Sequence, residues 1–367
     1  LRLLQLTDRL GGRGGADSYF RDLVEWVSTS GHEAEQTVVS GRGEDKQLSR
    51  HVDAMFTVRG LSSRVSSGKG LAQLGELVRS SDVVHIHNVM NPVALELVAA
   101  SGKGVVTVQD HRVFCPGRGK VLPQGDPCKT SMNVEACEVC FDDKVYAQKT
   151  LALTEDRLEA VRKMRVIVLS KYMAQELSQH GVDSTVIPPG VPSSDTVSNV
   201  GEGYIMGGRV VTHKAHSSAE EAWRMSGVES PLKVAGDGPE LSLLGGVERL
   251  GWLGRSELRE ALRCARALLF PSDWQEPFGI LGAEALAQGT PVIAMRGGGV
   301  EDWAKQGVCL VERGDTDGMA NAIWRLEHDD EHTASLGALG WNWVTRHLAP
   351  DEQWGRVINV YEELMTR

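Results

Sequence analysis

The chain has 367 residues, 41% hydrophobic and 24% charged, with a formal net charge of −10. That length favours two domains, and the composition excludes a largely disordered chain. An acidic balance without a Lys/Arg block argues against a nucleic-acid partner, and no run of 18 apolar residues is there to span a bilayer.

Leu1-Arg2-Leu3-Leu4-Gln5-Leu6 opens directly on a strand pattern with no signal peptide before it. The expected location is therefore the cytoplasm, with peripheral contact at the inner face of the membrane left open. Strands are predicted at Leu1–Thr7, Gln36–Val39, Ala54–Val58, Asp82–Ile86, Gly104–Val108, Arg165–Leu169 and Thr185–Ile187. Helices between them are predicted at Asp17–Ser28, Gly68–Arg79, Pro92–Ala100, Phe141–Met164 and Lys171–His180. Pro188 to Gly203, rich in Pro, Ser, Gly and Val, reads as an interdomain linker. Strands resume at Gly203–Met206, Leu232–Ala235, Val247–Leu250, Ala267–Phe270, Pro291–Ala294 and Val308–Val311. The chain ends in helices at Glu331–His347 and Asp351–Met365. This alternation predicts an α/β protein of two doubly wound, Rossmann-like domains, with ligand loops facing a central cleft.

The chemistry sits at predicted strand ends. Gly11-Gly12-Arg13-Gly14-Gly15 separates the first strand from a helix, and its amides can approach an anion. Asp17 follows; it either holds a hydroxyl or favours the positive end of the helix. Asp82-Val83-Val84-His85-Ile86-His87-Asn88 ends in polar residues, with His87 and Asn88 as candidates to line the cleft and His85 read as structural. Gly104-Val105-Val106-Thr107-Val108-Gln109-Asp110-His111 ends the next strand.

An irregular Gly/Pro-rich insertion, Phe114 to Phe141, then carries Cys115, Cys128, Cys137 and Cys140, the last two as a C-x-x-C knuckle. Four clustered cysteines in a cytoplasmic chain suggest a structural metal. Zinc fits best, with an iron–sulfur cluster, free thiols or a disulfide as the alternatives. Arg118 and Lys120 beside them either meet an anionic acceptor or are solvated. Cys264 and Cys309 read as core residues.

In the second half, Gly207-Gly208-Arg209-Val210-Val211-Thr212-His213-Lys214 reads as a loop whose Arg209 and Lys214 can reach one diphosphate, the first as a fork and the second as a point charge. Gly236-Asp237-Gly238-Pro239 is a tight turn. Leu250-Gly251-Trp252-Leu253-Gly254 can clasp a base edge with its backbone. Glu276-Pro277-Phe278-Gly279-Ile280-Leu281-Gly282-Ala283-Glu284 sets two carboxylates about a helix N-terminus. Phosphate at the helix end and hydroxyls at the carboxylates together suggest a nucleotide sugar.

On Gly14-Gly15, Gly208-Arg209 with Lys214, Gly236-Asp237-Gly238-Pro239, the Glu276/Glu284 pair and Ile187-Pro188-Pro189-Gly190-Val191, the chain resembles retaining glycosyltransferases of the GT-B fold, family 4, in a subset with a four-cysteine insertion. The resemblance implies an acceptor-side domain at 1–190 with the insertion at 114–141, and a donor domain at 203–349. It also implies a last helix, 350–367, that packs back on the first domain. It implies that Arg209 and Lys214 neutralise the diphosphate without a catalytic divalent metal, that Glu276 contacts the donor sugar, and that Glu284 contacts the ribose. Gly15, Gly208, Gly236, Asp237, Gly238, Trp252, Leu253, Phe278, Gly279 and Ile280 complete the implied donor site. Gly14, Asp17, His87, Asn88 and Asp110 belong to the acceptor side.

Many relatives carry a His where this chain has Gln109, with His111 two residues on as a candidate to take part of that role. An amide can hydrogen-bond a sugar hydroxyl but cannot donate as an imidazolium. The expected function is retaining transfer of a hexose-type sugar from a nucleoside diphosphate to a glycan, lipid-linked or small-molecule hydroxyl, as in polysaccharide biosynthesis. The alternatives are a GT-B epimerase or hydrolase, or a catalytically reduced nucleotide-sugar-binding protein.

Overall fold

The computed structural model describes residues 1–11, 14–65, 67–197 and 199–366. The chain divides into two compact units, Leu1–Gly190 with Pro350–Arg367, and Val191–Ala349.

The first unit is a seven-stranded sheet of β1 (Arg2–Thr7), β2 (Glu35–Ser40), β3 (Ala54–Thr57), β4 (Val83–His87), β5 (Gly104–Val108), β6 (Arg165–Val168) and β7 (Thr185–Val186). Its strand order is β3-β2-β1-β4-β5-β6-β7, all parallel. β4 and β5 are buried along their whole length, as strands covered on both faces must be. Helices α1 (Gly15–Thr29), α2 (Ala72–Ser80), α3 (Pro92–Ala99), α4 (Val134–Glu138), α5 (Lys144–Arg162) and α6 (Lys171–Ser178) belong to this unit.

The second unit has a six-stranded parallel sheet of β8 (Tyr204–Arg209), β9 (Leu232–Asp237), β10 (Glu248–Arg249), β11 (Ala267–Phe270), β12 (Val292–Met295) and β13 (Val308–Val311). Its order is β10-β9-β8-β11-β12-β13. Helices α7 (His216–Ser226), α8 (Arg255–Arg263), α9 (Ile280–Ala287), α10 (Val300–Trp303), α11 (Thr316–His328) and α12 (Asp330–His347) complete it. The last helix, α13 (Pro350–Met365), returns to the first unit.

Both orders reverse direction once, between β1 and β4 and between β8 and β11. Such a reversal opens a crevice at the carboxyl ends of the two strands, where open α/β sheets bind ligands. The anchoring of α13 is specific. The Tyr361 hydroxyl meets His85 Nδ1 at 2.6 Å, and Arg356 donates to the Val186 carbonyl at 2.6 Å. At Gly190 a Cβ would stand 2.8 Å from Pro350 Cα and from the Trp354 ring, so only glycine permits that approach.

Residues 191–197, expected as part of a linker, have no regular structure but are held to the second unit. Ser194 N donates to the Ala287 carbonyl at 3.0 Å, and Trp341 Nε1 donates to the Ser194 carbonyl at 3.0 Å. Strands β8 and β9 run past their expected ends. Gly207, Gly208 and Arg209 pair with Ala235, Gly236 and Asp237 as strand residues rather than as a loop.

Candidate functional site

In the second unit the reversal between β8 and β11 gathers three of the expected residues. Arg209 is exposed at the end of β8. Lys214, in the 3₁₀ turn Thr212–Lys214, forms an ion pair with Glu276. Glu276 is only 3% exposed, and its Oε1 also accepts from the Ser272 hydroxyl. The Lys214 ammonium stands 5.6 Å from the Trp274 ring centroid and 5.8 Å from that of Phe270, so its charge lies over aromatic faces. His213 has its pKa lowered by burial and then by Lys214 and Arg209, which marks the locality as cationic.

The Glu276 loop is fixed from behind. Its carbonyl accepts from Gly299 N at 2.6 Å, and a Cβ on Gly298 would stand 2.4 Å from that same oxygen. Trp303 Nε1 donates to the Phe278 carbonyl at 2.6 Å. Gly279, at φ 85, turns the chain into α9, and Gly282 makes room for Trp303, whose ring a Cβ would meet at 2.1 Å. Gly282 N donates back to the Gly279 carbonyl at 3.0 Å, and the amides of Ile280 and Leu281 before it stand at the positive end of α9.

The neighbouring turns are stitched together. Val210 N donates to the Asp237 carbonyl at 2.9 Å and Gly238 N to the Asp237 carboxylate at 2.8 Å, while Thr212 donates to Glu240. A Cβ at Gly236 would stand 2.0 Å from the Gly208 carbonyl oxygen. Ala215 adopts φ 50 just before α7, a left-handed conformation that a side chain tolerates only under constraint. Trp252 and Leu253 are half-buried between β10 and α8. Glu284 is half-buried on α9; burial pushes its pKa up, against the pull of Arg255 and Arg259.

In the first unit the reversal between β1 and β4 gathers a second polar group. Gly14 caps α1 at φ 121, Gly15 opens that helix, and Asp17 is buried in its first turn. Gly12 and Arg13 lie outside the described residues. Asn88, at φ 54, follows the last residue of β4. Arg112 bridges Asp110 (Nε to Oδ2 2.8 Å) and Asn88 (3.5 Å). Burial raises the Asp8 pKa, partly offset by Arg112. Burial acts the same way on Asp110, but there the charge and hydrogen bonds of Arg112 outweigh it and the pKa falls. Gln109 is 7% exposed and neither amide atom has a hydrogen-bonding partner. With Asn88, Thr107 and Asp110 it lines a cavity of about 10 Å³, room for about one water.

Two family models match this chain in tandem, "Glycosyltransferase Family 4" over residues 13–195 and "Glycosyl transferases group 1" over residues 204–329. The chain belongs to the glycosyltransferases of this group 1 / family 4 type. It is 33% identical over 120 residues to N-acetyl-alpha-D-glucosaminyl L-malate synthase of Bacillus anthracis, a match covering 30% of this chain and 31% of that protein. It is 31% identical over 146 residues to the lipopolysaccharide core biosynthesis glycosyltransferase LpsE of Rhizobium meliloti, covering 36% and 42%. The matched segments thus span less than half of those curated relatives. Among solved structures, HepE of Anabaena in complex with UDP superposes with a TM-score of 0.70 at 16% identity, covering 99% of this chain and 100% of that one. That likeness identifies the two Rossmann-like units as the GT-B fold.

In this family 4-type chain several expectations need correction. His87, expected to line the cleft, is fully buried; its ring packs on His85 at 3.9 Å and Phe20 at 5.0 Å, and neither ring nitrogen has a hydrogen-bonding partner. His111 is 1% exposed and its Nε2 meets the Tyr172 hydroxyl at 2.9 Å, so the ring is turned into the unit rather than toward Gln109's cavity. Cys264, expected in the core, is the exposed cap of α8. The four insertion cysteines are free and half-buried. Among the described residues no three His, Cys, Asp or Glu side chains are grouped as a ready-made metal site, and no helix is long and apolar enough to cross a membrane. Sequence reasoning missed Ser272, Asp8 and Arg112. Ser272 stands four residues before Glu276 in the same loop, and Arg112 two residues after Asp110; that spacing was the available signal.

Proposed function

We propose that the chain transfers a sugar from a nucleoside-diphosphate sugar to an acceptor hydroxyl with retention of anomeric configuration. The observation that carries this reading is the Lys214–Glu276 pair at the second sheet's reversal, with Arg209 alongside. A cation there suits the diphosphate, and a buried carboxylate beside it suits the sugar. The UDP-bound HepE relative supports the same donor class.

In this reading Arg209 and Lys214 hold the diphosphate and stabilise the charge that builds on it as the glycosidic bond breaks. They supply the positive charge that a divalent cation would otherwise bring. Glu276 accepts from donor-sugar hydroxyls, and the backbone about Phe278, Gly279 and Ile280 faces the sugar or phosphate. Glu284 accepts from the ribose hydroxyls. Gly208, Gly236, Asp237 and Gly238 allow close backbone approach, and Trp252 and Leu253 flank the base. No side chain is assigned as a covalent nucleophile, so departure and attack share one face of the sugar.

The acceptor belongs to the first unit, with Gly14, Asp17, Asn88 and Asp110 at the reversal and Gln109 offering a neutral amide to a hydroxyl, while Gly15 faces the donor phosphate. The acceptor class is a glycan, glycolipid or small molecule; a relative acting in lipopolysaccharide core biosynthesis supports the first two. The test is thermal shift with UDP, GDP, ADP and dTDP, since a ligand of the native state raises its stability, followed by turnover of the matching sugar nucleotides. No shift with any nucleotide at millimolar concentration would refute the reading. Rapid nucleotide release without an acceptor would show a hydrolase, and NMR of the product reads the anomeric configuration.

A further inference from the structure

The insertion after β5 has a physical problem that glycosyl transfer does not address. Of residues 115–146, all described, only Lys120 is buried. Cys115 and Met132 touch the core only partly, and Val134, Val139, Val145 and Tyr146 are each more than half exposed. Ordering a backbone costs conformational entropy at every residue, and segments without a core of their own are held by disulfides or metals. Its buried polar anchor is Lys120, which pairs with Glu176 at 2.9 Å and donates to the Thr130 carbonyl at 2.8 Å, and the Ser131 hydroxyl donates to Gln179 at 3.2 Å.

The fold of this segment nevertheless converges on its thiols. Lys120 N donates to Cys115 Sγ at 3.3 Å, and Cys128 N donates to the Lys120 carbonyl at 2.8 Å. Val121 and Pro127 bridge as an antiparallel pair between them. Cys140 N donates to the Cys137 carbonyl at 3.1 Å. Gly117 packs so closely on Cys140 that a Cβ there would stand 3.3 Å from its Sγ. Two loops, 115–128 and 137–140, therefore bring two cysteines each to one locality. Lys120, with φ 63, makes the turn and places a cation beside thiols that would ionise on binding.

We propose that Cys115, Cys128, Cys137 and Cys140 together bind one zinc ion that staples this segment. The thiols are near one another without being grouped at ligating positions, so binding draws the two loops together. A segment without a packed core can move that far. Four thiolates fill a tetrahedral zinc and leave no open position, so the ion is structural. Four thiols lose their protons to solvent as four Zn–S bonds form. The consequence for the first unit is a fixed exit from β5 just beyond Gln109 and Asp110, carrying the exposed Arg118.

Elemental analysis of protein purified without chelators is expected to give one zinc per chain, released in step with mercurial titration of four thiols. Cobalt(II) added to chelator-stripped protein is expected to give the intense visible bands of a tetrahedral thiolate site. Trypsin cleavage within 118–149 should accelerate at least tenfold on stripping. Cys137→Ser with Cys140→Ser should lose the metal, while Cys264→Ser and Cys309→Ser should keep it. The proposal is overturned by four reactive thiols with neither zinc nor a cobalt spectrum, by iron with labile sulfide, or by disulfides in the unreduced protein. The cobalt titration needs no variant, so misfolding of the serine protein cannot obscure the outcome. Nucleotide-induced thermal shift, a property of the second unit, reports separately on the transferase reading.

Discussion

Lys214 and Glu276 are ion-paired across the reversal of the second sheet, one from the turn after β8 and the other from the loop after β11. Glu276 is the buried partner and Lys214 the more accessible one, with side chains 4% and 20% exposed. The lysine can therefore turn to an incoming phosphate while Ser272 keeps a hydrogen bond on the carboxylate. Under the proposed function, the donor has to divide this pair.

Lys214→Ala should accordingly damage both stability and turnover. It leaves a buried carboxylate with a lost charged hydrogen bond, worth roughly 1–3 kcal/mol, reduced because the lysine is partly exposed. Turnover should fall about 100-fold or more, as for loss of a group that stabilises developing charge. Glu276→Gln should keep most of the stability and lose turnover to a similar degree. Urea melts and initial rates on both variants and the double variant check this. A coupling energy near zero would dissolve the pair as a functional unit.

Gln109 yields a prediction of opposite signs. Its amide is buried without partners, so Gln109→Leu removes an uncompensated polar group and should stabilise the first unit by up to about 1–3 kcal/mol. If the amide meets an acceptor hydroxyl, the same change should cut transfer about tenfold or more while leaving nucleotide binding intact. Gln109→His separates the remaining readings: a large gain in transfer would mark the chain as a decayed enzyme, and no gain would mark the amide as native to its mechanism.

Both doubly wound sheets were legible because strands such as Gly104–Val108, apolar but for Thr107, and Ala267–Phe270, apolar throughout, lie between helix patterns. The ends were less so. The expected strand stops at Met206 because glycine is a poor strand former. Gly208 and Gly236 instead pair in register, and a Cβ at Gly236 would stand 2.0 Å from the Gly208 carbonyl oxygen. The two carboxylates of the Glu276 loop and the cations at 209 and 214 could be read from their spacing, but the Lys214–Glu276 contact depends on strand order, which no local pattern contains. His87 and His111 show the same limit. A polar residue at a strand end reads as a site residue, and only the packing of Phe20, His85 and Tyr172 reveals that the rings face inward.

The buried histidines of β4 predict an acid-sensitive first unit. Burial pulls the His87 pKa down to about 3, and burial followed by the neighbouring His87 pulls His85 well below its usual value. The unfolded chain therefore binds more protons than the native one below about pH 6.5. The stability held by these neutral rings is fully present above that pH and is lost as pH falls toward 3. Two such groups give a slope of up to about 2.7 kcal/mol per pH unit. Urea melts between pH 7.5 and 5 should show this slope, and His87→Phe should remove about half of it. An unchanged slope would place the acid sensitivity elsewhere, with the buried His216 of the second unit, held at about 4, as the next candidate.

Glu284 sets stability against binding. Burial raises its pKa, and Arg255 and Arg259 offset this only in part. The native state therefore holds the proton to higher pH than the unfolded chain, so stability falls as pH rises through the unfolded value of about 4.3 toward the folded one. Above that window the ionised carboxylate is a standing cost, and Glu284→Gln should raise the melting temperature at pH 7.5 but not at pH 4. If the carboxylate accepts from ribose hydroxyls, the same variant should bind the nucleoside diphosphate about 10- to 100-fold more weakly, as for a charged hydrogen bond worth about 1.5–3 kcal/mol. Melting curves at the two pH values and a nucleotide titration measure both sides. A variant that is stabilised yet binds nucleotide as well as the parent would remove Glu284 from the donor site and leave only its burial to explain the shift.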